Sequence, residues 1–139
     1  MKCLIVDDEP LAIEVIESYL DRLEDAEIVG KCDNAMSAFE LLQREKVDLL
    51  FLDIQLPKIT GIDFLKALQH PPKVIFTTAY RDYAIESYEL NAVDYLLKPI
   101  SFDRFLKAID KVYAEKNQTI SAESKTNILL PNEAYFYVK

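Results

Sequence analysis

The 139-residue sequence is half hydrophobic and 29% charged, a balance that suits one ordinary globular domain with a real core. Its net charge of −8 argues against nucleic-acid binding through bulk electrostatics, because phosphate contacts need clustered Lys and Arg. No apolar run approaches the roughly 20 residues of a membrane helix, Met1 to Asp8 meets two acids too early for a signal peptide, and two glycines, Gly30 and Gly61, are too few for a Gly-rich phosphate loop.

Cys3-Leu4-Ile5-Val6 is a short continuous apolar run, as in a strand buried on both faces. Asp7, Asp8, Glu9 and Pro10 suit a turn and a helix start, and Glu9 is read there as a turn or solvated acid. Leu11, Ala12, Val15, Ile16, Tyr19, Leu20 and Leu23 then recur at helical spacing. Glu27 to Cys32 is a second strand, and Asn34 caps a helix carrying Ala35, Ala38, Phe39, Leu41 and Leu42. Val47 to Leu52 is a third strand ending at Asp53. A loop with Pro57 and Gly61 leads to a helix with Phe64, Leu65 and Leu68, which Pro71-Pro72 stops. Lys73 to Thr77 is a fourth strand, Arg81 to Leu90 a fourth helix, Val93 to Leu97 a fifth strand and Asp103 to Glu115 the last helix. Cys3 and Cys32 lie in strand-like runs and are read as buried, reduced thiols of a cytoplasmic protein. A single histidine, His70, in a loop, supplies neither a metal cluster nor a triad.

Five strands alternating with five helices imply a parallel sheet covered on both faces, and right-handed crossovers make it doubly wound. Ligands of such sheets bind at the carboxyl ends of the strands. Those ends carry Asp7 and Asp8, Asp53, Thr77 and Thr78, and Lys98-Pro99. Three clustered carboxylates repel one another and stay ionised when a cation sits among them; hard oxygen donors with room for water suit Mg²⁺. Lys98 adds a positive charge and Thr78 a hydrogen bond. The set fits phosphoryl transfer, with a carboxylate as the nucleophile and an acyl phosphate as the product.

The motifs Leu4-Ile5-Val6-Asp7-Asp8-Glu9-Pro10, Asp53-Ile54-Gln55-Leu56-Pro57-Lys58-Ile59-Thr60-Gly61, Thr77-Thr78-Ala79-Tyr80 and Asp94-Tyr95-Leu96-Leu97-Lys98-Pro99 closely resemble the receiver domain of two-component response regulators. The resemblance covers about residues 1–116. It implies a flavodoxin-like sheet of order 2-1-3-4-5 with five helices. It also implies that Asp53 accepts a phosphoryl group from a sensor histidine kinase. Mg²⁺ would be held by Asp8 directly, by Asp7 largely through water, by Asp53, and by the backbone carbonyl of Gln55. Lys98 would pair with phosphoryl oxygens, Thr78 would reach the phosphate, and Tyr95 would be the switch aromatic. Gln55 and Tyr80 would tune dephosphorylation, and the Lys98-Pro99 bond would be cis. Such a protein catalyses only its own phosphorylation and dephosphorylation. A homodimer through the fourth helix, fifth strand and last helix is expected.

Thr78 to Ile85, with Asn91 to Ile100, looks like the LytTR class, in which a DNA-binding domain follows the receiver. Polar residues 117–127 read as a linker. Residues 128–139, apolar again at Tyr135-Phe136-Tyr137-Val138, read as the cut-off start of that domain, so DNA is a partner only through the missing part. A stand-alone receiver acting through protein contacts is the alternative. A haloacid-dehalogenase-type phosphohydrolase needs a D-x-D pattern after the first strand, whereas Asp7 and Asp8 are adjacent here.

Overall fold

A computed structural model describes residues 1–81 and 91–124, with side chains to residue 115. The elements are β1 (Lys2–Val6), α1 (Pro10–Leu20), β2 (Glu27–Cys32), α2 (Ala35–Arg44), β3 (Leu49–Asp53), α3 (Gly61–Ala67), β4 (Lys73–Thr78), β5 (Asp94–Leu97) and, numbered α4 here, the last helix (Phe102–Ser124). All strand pairs are parallel, and the sheet order is β2-β1-β3-β4-β5, as the alternating pattern and the resemblance imply. Of the helix expected over Arg81 to Leu90, residues 82–90 lie outside the described ones, and four of the five expected helices are seen among the described residues.

The continuous apolar runs follow from burial on both faces. Cys3 and Ile5 of β1, Leu49 and Phe51 of β3, and Ile75 of β4 pack with Ile16 and Leu20 of α1 and with Phe105, Ala108, Ile109 and Val112 of α4. The alternate residues Leu4, Val6, Leu50, Leu52, Val74 and Phe76 pack with Ala38 and Leu41 of α2 and with Ile62, Phe64 and Leu65 of α3. Phe105 stacks on Phe51 at 5.8 Å between ring centroids, which pins α4 over the centre of the sheet. Both cysteines are free and buried, as expected.

Helix starts follow local chemistry. Asn34 accepts a hydrogen bond from the Ser37 amide at 2.8 Å, and Thr60 accepts one from Asp63 at 3.1 Å; both are N-caps. Helix α1 has no side-chain cap and starts on Pro10 instead, whose fixed φ suits the first turn. The last helix corrects the expectation that it stops at Glu115. It continues to Ser124 because residues 114–124 contain no Gly or Pro and several good helix formers, even though an apolar stripe is lacking there.

A Cβ on Gly30 of β2 would lie 2.3 Å from Leu41 Cδ1. That atom is the far end of a flexible side chain, so Gly30→Ala is expected to destabilise by no more than about 1 kcal/mol, measured by urea denaturation.

Candidate functional site

The register gathers the site. Val6 of β1 pairs with Leu52 of β3, so Asp7 leaves its strand beside Asp53. The Asp7 amide donates to the Cys32 carbonyl at 3.0 Å, which holds this turn against the end of β2. On the other side Asp53 pairs with Thr77 of β4, and Thr78 pairs with Leu97 of β5. The Lys98 amide then donates to the Thr78 carbonyl at 2.7 Å, and the Lys98-Pro99 bond is cis, as the resemblance implies.

Carboxylate oxygens of Asp7, Asp8 and Asp53 lie within 4.8 Å of one another. Asp7 and Asp53 are buried, 0% and 3% exposed, while Asp8 faces solvent. Lys98 Nζ sits among the acids, 2.6 Å from Glu9 Oε1, 2.9 Å from Asp7 Oδ2 and 3.3 Å from Asp53 Oδ2. Burial pushes the Asp53 carboxyl up to about 6; the Asp7 charge adds to this, while the Gln55 amide at 2.9 Å and Lys98 pull it back. Burial works against the Lys98 ammonium, but hydrogen bonds to Glu9 and Asp7 and the charges of Asp53 and Asp7 raise it well above the ordinary lysine value.

These residues fit a hard divalent cation. The donors are all oxygens. Asp7 Oδ2 is buried, and Lys98 Nζ at 2.9 Å is the cation beside it. One ammonium against four carboxylates leaves negative charge that an ion would neutralise.

The other expected site residues occupy the same edge. Thr78 is fully buried, and its hydroxyl accepts from the Tyr80 amide at 3.0 Å. Tyr95 is half-buried against the α2–α3 core. Gln55 and Tyr80 are exposed on the loops after β3 and β4.

Three features were not read from the sequence. Glu9, which the sequence presents as a turn or solvated acid, makes the shortest of the three carboxylate contacts to Lys98. Arg104 of α4 grips Asp94 through two hydrogen bonds, at 2.8 and 2.9 Å, and also donates to the Tyr95 carbonyl at 3.1 Å. Burial raises the Asp94 carboxyl, but Arg104, with Lys111 at 3.1 Å, holds it below the ordinary carboxylate range. Finally, Gly61 donates its amide to the Ile54 carbonyl at 2.7 Å, bringing the start of α3 onto the backbone that carries Asp53.

A doubly wound sheet with an acid cluster and a lysine at its carboxyl edge is the class this fold and site define. The response regulator receiver domain family matches residues 3–110. The response regulatory domain of mrkE from Klebsiella pneumoniae is 35% identical with a TM-score of 0.76, covering 85% of this chain and 99% of that one. The REC domain of AraT, a response regulator from Geobacillus stearothermophilus, is 32% identical with a TM-score of 0.77, covering 86% and 98%. The transcriptional regulatory protein BtsR of Escherichia coli (strain K12) is 42% identical over 120 residues, 85% of this chain and 50% of BtsR. The sensory transduction protein LytT of Bacillus anthracis is 37% identical over 128 residues, 90% of this chain and 52% of LytT. The chain belongs to the response regulator receiver domain family, and it spans about half the length of the curated relatives it matches. The similarity to LytT agrees with the narrower resemblance to the LytTR class. No helix among the described residues is long and apolar enough to cross a membrane.

Proposed function

We propose that the domain is a phosphorylation switch in which Asp53 accepts a phosphoryl group from a sensor histidine kinase in the cytoplasm. The observation that carries this reading is the placement of buried Asp53 against Lys98 Nζ and within one oxygen cluster with Asp7 and Asp8. An Asp53 carboxylate oxygen attacks phosphorus, the P–N bond of the kinase phosphohistidine breaks, and the histidine leaves with the electron pair. Lys98 pairs with a phosphoryl oxygen. Asp7, Asp8, Asp53 and the Gln55 carbonyl are the residues that would hold Mg²⁺, which when bound would neutralise charge on the acids and the phosphoryl oxygens. The turnover is confined to the domain's own phosphorylation and dephosphorylation, the latter tuned by Gln55 and Tyr80.

Phosphorylation adds about −1.5 to −2 charges. Thr78 then exchanges its contact with the Tyr80 amide for the phosphate, and Tyr95 turns further inward. The face of β5 and α4, together with the helix expected over 81–90, changes shape, and a second copy selects the new shape. The output proposed is a DNA-binding domain of LytTR type joined beyond the receiver, with residues 117–127 as the connection and 128–139 as its start. Support for a transcriptional output comes from the kind of relative the chain matches.

Mg²⁺ titration tests the site. Millimolar Mg²⁺ is expected to stabilise the protein by about 1 to 3 kcal/mol, seen as a higher melting temperature, and Asp8→Ala is expected to remove most of that gain. Equal melting temperatures with and without Mg²⁺ would contradict the proposed metal site. With beryllofluoride added, an unchanged sedimentation coefficient would contradict the dimer.

A further inference from the structure

We propose that Glu9 is a positioning residue that holds Lys98 in the unphosphorylated domain and gives it up to the incoming phosphoryl group. The inference rests on the reading of Asp53 as the phosphoacceptor. Lys98 Nζ has three protons to donate and accepts none. Three carboxylates surround it, from Glu9, Asp7 and Asp53, and Glu9 is the closest at 2.6 Å. A phosphoryl oxygen on Asp53 can engage Lys98 fully only when one of these contacts lapses.

The three acids differ in their freedom to leave. Asp7 is fully buried at the end of β1, and its Oδ1 is already tied to the Glu9 amide at 2.9 Å. Asp53 carries the group being transferred. The Glu9 side chain is 62% exposed, so it can move into water at little cost. Glu9 occupies the N-cap position of α1 but makes no side-chain cap bond. Its backbone is fixed through Asp7, and its carboxylate reaches across to a residue 89 positions away.

Because the pair is largely exposed on the Glu9 side, releasing Lys98 in advance is worth a modest factor. Glu9→Gln is expected to tighten beryllofluoride binding at saturating Mg²⁺ by roughly two- to fivefold, measured by calorimetry on the full chain. Glu9→Asp keeps the charge but shortens the reach by one methylene, so it is expected to tighten binding as Glu9→Gln does. Glu14→Gln, an exposed acid on the same helix, is expected to match the wild type. The Mg²⁺ affinity measured alone is expected to change by less than roughly twofold in all three.

Beryllofluoride affinity unchanged or weakened in Glu9→Gln would overturn the proposal. So would a Glu9→Asp variant that binds like the wild type, since that makes charge and not contact the cause. A collapse of Mg²⁺ affinity in Glu9→Gln would make Glu9 a metal ligand instead. Should the wild type itself bind no beryllofluoride, the phosphoacceptor reading fails first and the latch falls with it.

Discussion

Asp53→Asn is expected to make the metal-free protein more heat-stable at pH 7, by roughly 3 to 8 °C, while removing its ability to take up a phosphoryl group. The folded protein holds the Asp53 carboxyl up at about 6, against an ordinary value of 3.8, chiefly because the group is buried. Between those values the folded state binds a proton that the unfolded chain has lost. Stability therefore falls as pH rises from about 4 to about 6, and the full penalty is present above that range. Asparagine keeps the shape and carries no charge. It also gives up the contact with Lys98, but Lys98 retains Asp7 and Glu9. The net gain is about 1 to 2 kcal/mol. Calorimetric melting at pH 7 and pH 4 checks the sign: the variant gains at pH 7, and the difference closes at pH 4, where Asp53 of the wild type is protonated. Saturating Mg²⁺ at pH 7 is expected to narrow the gap as well, because an ion among the acids removes the repulsion that asparagine relieves. A variant less stable than the wild type at pH 7 would show that the buried carboxylate is compensated rather than strained.

Gly61→Ala is expected to be the most damaging single-methyl change near the site. A Cβ there would lie 2.3 Å from the Asp53 carbonyl oxygen and 3.0 Å from Ile54 Cα. Both are backbone atoms, so no side-chain rotation relieves the clash, unlike the Leu41 contact at Gly30. Either the start of α3 lifts off or the end of β3 shifts, and Asp53 moves with it. Overpacking of this kind costs about 3 kcal/mol. Chemical denaturation is expected to show that loss, and phosphorylation is expected to slow by more than roughly tenfold, since small misplacements of a reacting group weigh heavily on rate. The need at Gly61 is for close approach and not for an unusual φ, which is not positive there. Normal stability and a normal rate in Gly61→Ala would contradict the tight seating of α3 on β3.

Much of this architecture is legible in the chain because its signals are local. Runs such as Val74-Ile75-Phe76 are apolar without alternation because both sheet faces are covered, and that pattern, with the alternation of strands and helices, points to a parallel sheet. The acids and Lys98 stand directly after such runs, so finding the strands also finds the site. What escaped reading depends on side-chain reach or on weak patterns. Nothing in Asp7-Asp8-Glu9 distinguishes a solvated glutamate from one that grips a lysine emerging after β5. The hold of Arg104 on Asp94 and the Tyr95 carbonyl joins α4 to β5 in three dimensions, whereas in sequence Arg104 reads as one more charge on a helix. The full length of α4 is not legible because residues 117–124 lack hydrophobic periodicity, leaving propensity alone. Each boundary depends on pairing as well as composition: β3 extends to Asp53 because that residue finds a partner in Thr77.

The central claim is that Asp53 is a phosphoacceptor, and intact mass after incubation with Mg²⁺ and acetyl phosphate tests it most directly. The wild type is expected to gain the mass of one phosphoryl group, only when Mg²⁺ is present, and Asp53→Asn to gain none. No gain in the wild type, or an equal gain in the variant, would contradict the assignment of Asp53 as the acceptor.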